Sequence, residues 1–321
     1  MEKYQLGAAR LAGSAGSDGR ERVILYTRGR HLDLTALVTE EYAQDMLGKL
    51  SLLTMLREWD AWRERLPVLI EHAFARGKTK KPLAAVASSA ITWLPPVSNP
   101  PKLICIGTNY TDHIAEMSAN MGAGKPWPRP EFPYSFLKPG TTTLVGDGAT
   151  IRLPRYAQFI DWEVELAVVI GKTAHEVVGE AALAATAGYS VFNDVSVRDF
   201  VTKPASVGID WVMSKAFDGS SPMGPYLTPA EFIPDPQRLR LRLRVNGIVK
   251  QDSTTANLVF GVREIIEHLS SIMTLEPGDI IATGTPAGVG FGRRPQERLH
   301  PGDVMVAEIE GLGQLTTRVE V

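Results

Sequence analysis

Two glutamates separated by one residue, Glu163 and Glu165, stand in an otherwise apolar stretch between residues 161 and 171. Alternate residues of a β-strand share a face, so both carboxylates would point the same way, roughly 6–7 Å apart along the strand. Like charges at that distance repel each other unless a positive charge lies between them. A hard divalent cation such as Mg²⁺ or Mn²⁺ prefers carboxylate oxygens and would relieve the repulsion. An amphipathic strand with its polar face in water has the same pattern, so the spacing alone leaves both interpretations open.

A third acidic residue, Asp194, lies near the end of the next predicted strand, residues 189–195. There it could supply a third hard oxygen ligand from a different element and complete a carboxylate cluster. An aspartate at the end of a strand is also a common turn residue, which is the alternative interpretation.

His113 and Glu116 are three residues apart in a predicted helical turn, residues 110–117. They would share a helix face, so the carboxylate could hold the tautomer of the imidazole and raise its basicity. His113 is therefore a candidate general base, although such pairs are also common on protein surfaces. Residues 121–133 are rich in glycine and proline and predict a mobile loop, beside which the helix could act as a lid.

Lys215 and the glycine-rich segment 283–290 could complete a site of this kind. A lysine near three carboxylates would balance their charge and present a cation to a developing oxyanion, whereas an isolated lysine is more often an exposed one. Segment 283–290 brings backbone N–H groups and hydroxyls to the end of a strand, where they could bind a carboxylate or a phosphate. A turn without a ligand is the alternative, and the segment matches no nucleotide-binding motif.

The composition is that of an ordinary globular protein, with 321 residues, of which 44% are hydrophobic and 22% charged. That length allows one main core and a smaller domain. A net charge of −2 gives no electrostatic footprint for nucleic acid or an anionic membrane, so we expect small molecules or other subunits as partners. Neither a signal peptide nor a run of membrane-spanning length is apparent, and we expect a cytoplasmic protein.

Prolines between residues 95 and 101 predict a boundary between an N-terminal domain, residues 1–95, and a catalytic domain, residues 96–321. The first domain would contain a short strand at residues 22–26 and helices around 42–59 and 62–75. Later, leucines and arginines alternate over residues 238–245, before an Asn-Gly pair typical of a hairpin. We expect these arginines to protect a sheet edge or to pair with acids at a subunit interface.

Together these segments resemble the fumarylacetoacetate hydrolase family, through residues 107–113, 161–171, 188–199, 215–225 and 277–290, in family order. The resemblance implies an α+β, mainly β fold, a mixed β-sheet roll with a smaller N-terminal α/β domain, usually in a homodimer around Mg²⁺ or Mn²⁺. It also implies three metal ligands, a water-activating dyad, a nearby cation and substrate contacts. By matched position these are Glu163, Glu165 and Asp194; His113 and Glu116; Lys215; and Tyr110, Gly284 and Thr285.

The resemblance further implies action on 2-oxo acids and 1,3-diketones, by C–C bond hydrolysis, decarboxylation, hydration or isomerisation. Because His113 and Glu116 are both present, we expect hydrolysis of an acylpyruvate or a related diketone, as in aromatic catabolism, ahead of the other three reactions. Val201 stands where many family members have glutamine, so the substrate could present a hydrophobic group there.

Two other classes of function are less well supported. A serine hydrolase would need a G-x-S-x-G elbow, and the sequence contains none. A non-catalytic binding protein could dispense with metal ligands, whereas all three carboxylates are present.

Overall fold

The computed structural model describes residues 2–12, 20–42, 50–75, 85–120, 128–202 and 208–321. The strands are β1 (Gln5–Leu11), β2 (Arg22–Thr27), β3 (Arg30–Asp33), β4 (Ile91–Leu94), β5 (Leu103–Gly107), β6 (Tyr134–Lys138), β7 (Leu144–Val145), β8 (Thr150–Arg152), β9 (Ile160–Asp161), β10 (Val164–Ile170), β11 (Thr186–Asn193), β12 (Ser196–Val197), β13 (Ser221–Pro229), β14 (Arg240–Val245), β15 (Ile248–Thr254), β16 (Ile280–Ala282), β17 (Val304–Ile309) and β18 (Gly313–Glu320). The α-helices are α1 (Leu34–Tyr42), α2 (Leu52–Leu56), α3 (Trp59–Ala75), α4 (Thr111–Asn120), α5 (Glu180–Ala184), α6 (Asp199–Thr202), α7 (Trp211–Lys215) and α8 (Val262–Ile272).

Three sheets form within these ranges. The largest has eleven strands, in the order β3-β2-β1-β13-β11-β10-β16-β5-β6, with β4 paired to β1 and β7 paired to β13. A five-stranded sheet has the order β15-β14-β17-β18-β8, and β9 pairs with β12. Most neighbours are antiparallel, but β16 and β5 are parallel, as are β13 and β7, and β18 and β8. The expected mainly β, mixed-sheet fold is confirmed.

Strand β10 is buried on both faces. Val164 and Leu166 point into a cluster that includes residues of β14, β17 and α8, whereas Ala167 and Val169 point into a second cluster that includes α3 and the first strands. Glu165 shares the face of Ala167 and Val169, because side chains alternate along a strand. Protein, and not bulk water, therefore covers the face that carries this glutamate, and the amphipathic surface strand is excluded.

The strand directions bring several chain segments to one edge of the large sheet. The parallel strands β5 and β16 end there, and the antiparallel strand β10 begins there. Strand β11 is antiparallel to β10 and ends at the same edge, where β13 begins in turn. Strand β6 also begins there, opposite the end of β5. The segments that follow β5, β11 and β16 and precede β10 and β13 therefore meet, and they carry the predicted site residues.

The strand with alternating arginines is confirmed, but the sheet edge predicted for it is wrong. Strand β14 is an internal strand, paired with β15 on one side and β17 on the other. Arg240 and Arg242 form ion pairs with Asp252 of β15, and Arg244 pairs with Glu308 of β17. The arginines neutralise acids on the neighbouring strands of their own sheet, and protect no edge.

The first ninety-five residues supply strands to the large sheet, since β1 pairs with β13 as well as with β2 and β4. The division between residues 95 and 96 stays a prediction. Helix α3 matches the helix predicted around residues 62–75, whereas the described part of residues 42–59 holds the short α2 and only the last residue of α1 and the first residue of α3. Residues 43–49, part of the predicted loop (121–127) and the side chain of Val201 lie outside the described part.

Replacing Gly188 by alanine should destabilise the protein by about 3 kcal/mol, because a Cβ atom there would lie 2.3 Å from the backbone oxygen of Thr228 on the paired strand β13. Gly247→Ala is the matched control. It meets no atom within 4 Å, and its φ of +78° should cost only about 1 kcal/mol. Chemical denaturation measures both losses, and equal losses would contradict the close packing at Gly188.

Candidate metal centre and active site

Three carboxylates meet at the sheet edge described above. Glu163, Glu165 and Asp194 each place one oxygen within 4.8 Å of the others, and all three side chains are buried. Backbone contacts fix their register, because Asp194 N–H donates to the carbonyl of Glu163, and Glu163 N–H donates to Asn193 Oδ1 at 2.9 Å. The three predicted metal ligands therefore lie together.

Two lysines compensate part of the negative charge. Lys215 Nζ donates to Glu163 at 2.7 Å and to Asp194 at 2.6 Å. Lys138 Nζ donates to the other oxygen of Asp194 at 2.6 Å and to the carbonyl of Ser220 at 3.0 Å. Burial alone would lower the pKa of Lys215, but the charges of Asp194 and Glu163 outweigh burial and raise this pKa above its ordinary value. The lysine therefore stays protonated. Lys215 thus lies where the sequence places a cation.

An arginine and a fourth carboxylate extend the cluster. Arg198 pairs with Asp161 at 2.9 Å through Nε and with Glu163 through its terminal nitrogen. Asp161 also accepts hydrogen bonds from the backbone N–H groups of Gly290 and Phe291, at 2.6 and 3.0 Å. Asp161 therefore ties the end of β9, shortly before β10, to the segment that follows β16.

The environments of Glu163, just before β10, and of Glu165, within β10, push their pKa values apart. Burial would raise the pKa of Glu163, but Lys215 and Arg198 lower it to about 2. Burial raises the pKa of Glu165 well above its ordinary value, and the negative charges of Asp194 and Glu163 add to the rise. Glu165 accepts a hydrogen bond from Gly284 N–H at 2.7 Å, and in the described residues it forms no ion pair.

This donor set fits a hard divalent cation. Such ions prefer carboxylate oxygens, and the three oxygens are near enough for one ion to contact all of them. The raised pKa of Glu165 reflects a buried negative charge that the neighbouring cations do not fully compensate. A divalent ion would supply the missing positive charge.

His113 and Glu116 are assembled as expected from their spacing. His113 Nδ1 lies 3.3 Å from Glu116 Oε2, and Glu116 Oε1 accepts a hydrogen bond from Gly288 N–H at 2.9 Å. Gly292 lies so close that a Cβ there would be 2.4 Å from the carboxyl carbon of Glu116. The glutamate is therefore held from two sides, and it orients the imidazole.

A cavity of about 230 Å³ opens over these groups. One part of its lining is charged, with His113, Lys215 and Arg198 beside the three carboxylates. Another part is aromatic, with Tyr134, Phe136 and Trp211. The rings of Phe136 and Trp211 stack with centroids 4.6 Å apart, and Trp211 Nε1–H donates to the Tyr134 hydroxyl at 3.0 Å. The cavity combines a polar end suited to an oxo acid with an aromatic wall.

Of the three predicted substrate contacts, only Thr285 lines the cavity. Its hydroxyl donates to the carbonyl of Val164. Gly284 lies behind Glu165, which it holds through its N–H group. Tyr110 is fully buried in the core and is not part of the lining. Burial and the nearby charge of Glu165 raise the pKa of the Tyr110 hydroxyl well above its ordinary value. The structure does not bring Tyr110 into the cavity.

Sequence reasoning missed Lys138, Arg198 and Asp161 as parts of the site. Lys138 precedes Pro139 and gave only a turn signal, and Arg198 follows Asp194 by four residues without any motif of its own. Asp161 was included in the carboxylate strand, but its role as an anchor depends on residues 290 and 291, far away in the sequence. A charge balance over the predicted cluster would have indicated that further cations were needed.

Comparisons with known proteins match most of the chain. Residues 102–320 match the family model described as fumarylacetoacetate (FAA) hydrolase C-terminal. The chain is 41% identical over 237 residues to oxaloacetate tautomerase FAHD2A, mitochondrial, of Bos taurus, which covers 74% of this chain and 72% of that protein. It is similar to the crystal structure of fumarylacetoacetate hydrolase from Exiguobacterium antarcticum, with a TM-score of 0.74, 32% identity and 99% of each chain covered. Fumarylpyruvate hydrolase from Pseudomonas aeruginosa in complex with Mn²⁺ and pyruvate gives a TM-score of 0.61 and 31% identity, over 72% of this chain and 92% of that one.

Affinity for Mn²⁺ should increase with pH, above the range in which an ordinary glutamate titrates. The raised pKa of Glu165 means that a proton occupies this carboxyl at pH values where a free glutamate is ionised, and a metal ion must displace it. Isothermal titration calorimetry at several pH values, in buffers of different ionisation heat, measures both the affinity and the proton release. An affinity that is independent of pH, with no proton released, would contradict the raised pKa.

Glu165→Gln should stabilise the metal-free protein at neutral pH and abolish tight metal binding. Folding raises the pKa of this carboxyl, so the protein loses stability as the pH rises from the pKa of the unfolded state towards that of the folded state. Glutamine does not titrate and removes that loss. The hydrogen bond from Gly284 can persist, because the amide oxygen is also an acceptor. We expect the midpoint of thermal unfolding to rise by at least ~2 °C at pH 8, with little change at pH 4. A lower midpoint at pH 8 would show that the ionised carboxylate is favourable.

Proposed function

The chain belongs to the fumarylacetoacetate hydrolase family, and we propose that it is a divalent-metal-dependent enzyme that moves a proton next to the keto group of a small 2-oxo acid. The reaction we favour is keto–enol tautomerisation of a 2-oxo dicarboxylic acid such as oxaloacetate. The ranking differs from the expectation based on sequence, which put C–C bond hydrolysis first.

The observation that carries the proposal is that His113 and the three carboxylates line one small cavity. A proton-transfer group and a cation site on the same cavity can act on one substrate, because deprotonation next to a ketone places negative charge on its oxygen.

Each group in the cavity has a role in this reaction. A divalent ion held by Glu163, Glu165 and Asp194 would polarise the keto oxygen as a Lewis acid. His113, oriented by Glu116, takes a proton from the carbon next to the keto group, and the electron pair of that C–H bond moves towards the oxygen. Lys215 stays protonated and stabilises the negative charge. Return of a proton to the oxygen completes the enol, and the reverse sequence restores the ketone.

The size of the cavity supports a small substrate. Its volume, about 230 Å³, is below the roughly 300–1,000 Å³ that is common for sites of drug-sized ligands. Lys215 and Arg198 keep positive charge on its wall, which suits an acid. The similarity to oxaloacetate tautomerase FAHD2A supports the same substrate class.

Hydrolysis of an acylpyruvate is the second candidate, because the His113–Glu116 pair has the geometry to activate water as well as carbon. In that reaction water adds to the distal carbonyl, the C–C bond breaks, and pyruvate leaves as its enolate. The similarity to fumarylpyruvate hydrolase in complex with Mn²⁺ and pyruvate favours this candidate. Decarboxylation, hydration and isomerisation would use the same stabilised enolate.

Three further properties belong to the proposal. We propose Mg²⁺ or Mn²⁺ as the ion, since both prefer oxygen ligands. A homodimer and a cytoplasmic location stay predictions, and the tautomerase relative is described as mitochondrial. In the part of the chain that the structure describes, no helix is both long and apolar enough to cross a membrane.

His113→Asn should slow proton exchange at carbon 3 of oxaloacetate by about 10²–10⁴-fold, because asparagine cannot accept that proton, and should leave Mn²⁺ affinity nearly unchanged. Exchange in D₂O, followed by NMR, and decay of the enol absorbance measure the rate. His300→Asn is the matched control, because this exposed histidine is not part of the cavity.

Product analysis, combined with the exchange measurement, separates the two candidate reactions. Metal-loaded protein is incubated with oxaloacetate and with fumarylpyruvate, and the products are identified by mass. Fast exchange without acid fragments supports tautomerisation, and fumarate together with pyruvate supports hydrolysis. A His113→Asn protein that exchanges the proton at the parental rate would exclude His113 as the base.

A further inference from the structure

Gln251 lies on β15 of the five-stranded sheet, yet its side chain reaches the start of β10 in the large sheet. It is 1% exposed, and every polar atom of its amide is engaged. Its Oε1 accepts a hydrogen bond from Val164 N–H at 2.9 Å. Its Nε2 donates to Thr285 Oγ1 at 2.8 Å and to the carbonyl of Pro286 at 2.9 Å.

These bonds close a ring around Val164. Val164 N–H donates to Gln251, Gln251 donates to the Thr285 hydroxyl, and that hydroxyl donates to the carbonyl of Val164 at 3.0 Å. Side chains thus satisfy both backbone polar groups of Val164. Val164 is the residue between Glu163 and Glu165.

A side chain is needed here because the neighbouring strand ends too early. Strand β16 pairs with β10 only from Ala167 to Val169, and the next residue of the chain, Thr283, bonds to the carbonyl of Leu166. At Val164 no strand of the described residues lies on that side, and buried backbone groups need partners. The amide of Gln251 and the hydroxyl of Thr285 take the place of the missing strand.

The close approach of β15 to the glycine-rich segment makes this contact possible. A Cβ on Gly288 would lie 2.2 Å from the carbonyl oxygen of Lys250, the residue before Gln251. The same glycine donates its N–H to Glu116 and accepts a hydrogen bond at its carbonyl from Trp162 Nε1. Gln251 therefore lies where the segment that holds Glu116 meets the strand that carries the carboxylates.

We propose that Gln251 is a positioning residue that sets the direction of the Glu163 and Glu165 carboxylates towards the cavity and holds the Thr285 side chain at the cavity wall. The proposal rests on the metal centre proposed above and is independent of which reaction follows. Gln251 touches no substrate atom in this role. It acts on the metal ligands through the backbone of Val164.

Gln251→Met tests the proposal, because methionine keeps the length and apolar volume of the side chain but removes all three hydrogen bonds. We expect the Mn²⁺ dissociation constant to rise by about 10–100-fold, as is common when a group that orients metal ligands is lost. Calorimetry measures the affinity, and the electron paramagnetic resonance spectrum of bound Mn²⁺ should show a changed zero-field splitting.

Gln5→Met is the matched control for lost stability. Gln5 Nε2 likewise donates to a threonine hydroxyl, that of Thr228 at 2.7 Å, and to a backbone carbonyl, that of Gly311 at 3.3 Å. It joins β1 to residues distant from the carboxylates, so its replacement should lower the thermal midpoint and leave the Mn²⁺ affinity and spectrum at parental values. Thermal unfolding in the presence of a chelator gives the stability of all proteins without metal.

A Gln251→Met protein that binds Mn²⁺ within twofold of the parental affinity, with an unchanged spectrum, would overturn the proposal and leave Gln251 a structural bridge between the sheets. If this variant does not fold, Gln251→Asn gives the same comparison, because it keeps a buried amide but shortens the side chain by one methylene. Failure of the parental protein to bind Mn²⁺ would instead contradict the metal centre itself, so the two failures are distinguishable.

Discussion

The central constraint on this structure is the burial of like charges. Among the described residues, four carboxylates, those of Asp161, Glu163, Glu165 and Asp194, meet three cations, those of Lys138, Lys215 and Arg198. Removing charges from water is costly unless they are paired and hydrogen-bonded. With all four carboxyl groups ionised, one negative charge at this site would have no compensating cation. The excess is concentrated on Glu165, whose pKa burial and its acidic neighbours raise.

That imbalance favours the binding of a positive charge at the three carboxylates. A divalent ion would relieve it, and the cavity above it would let the ion share a substrate oxygen with the carboxylates. In the metal-free protein, a proton on Glu165 would relieve it instead.

The topology explains how such a cluster can form at all. Glu163 and Glu165 precede and begin β10, Asp194 follows β11, Lys215 precedes β13, and His113 follows β5. Because these strands alternate in direction, their relevant ends coincide at one edge. As a consequence of that convergence, Val164 has a partner on β11 but, among the described residues, no strand on the side of β16, and Gln251 and Thr285 bind its backbone groups there.

Local patterns in the sequence predict much of this site. The alternation around Glu163 and Glu165, the aspartate at the end of a strand and the helical spacing of His113 and Glu116 each reflect one element, and each is found as predicted. Lys138, Arg198 and Gln251 could not be found that way, because their partners are 56, 37 and 87 residues away and only the sheet order brings them together. The arginines of β14 show the same limit, since their pattern predicts a strand but not which acids flank it.

Anomalous diffraction from crystals grown with Mn²⁺ tests the central claim most directly. The account predicts a single strong peak in the cavity, about 2.0–2.6 Å from one oxygen of each of Glu163, Glu165 and Asp194. In Glu165→Gln crystals grown in the same way, the peak should be weak or absent. A parental crystal with no peak at these carboxylates, or with Mn²⁺ bound only elsewhere, would contradict the account.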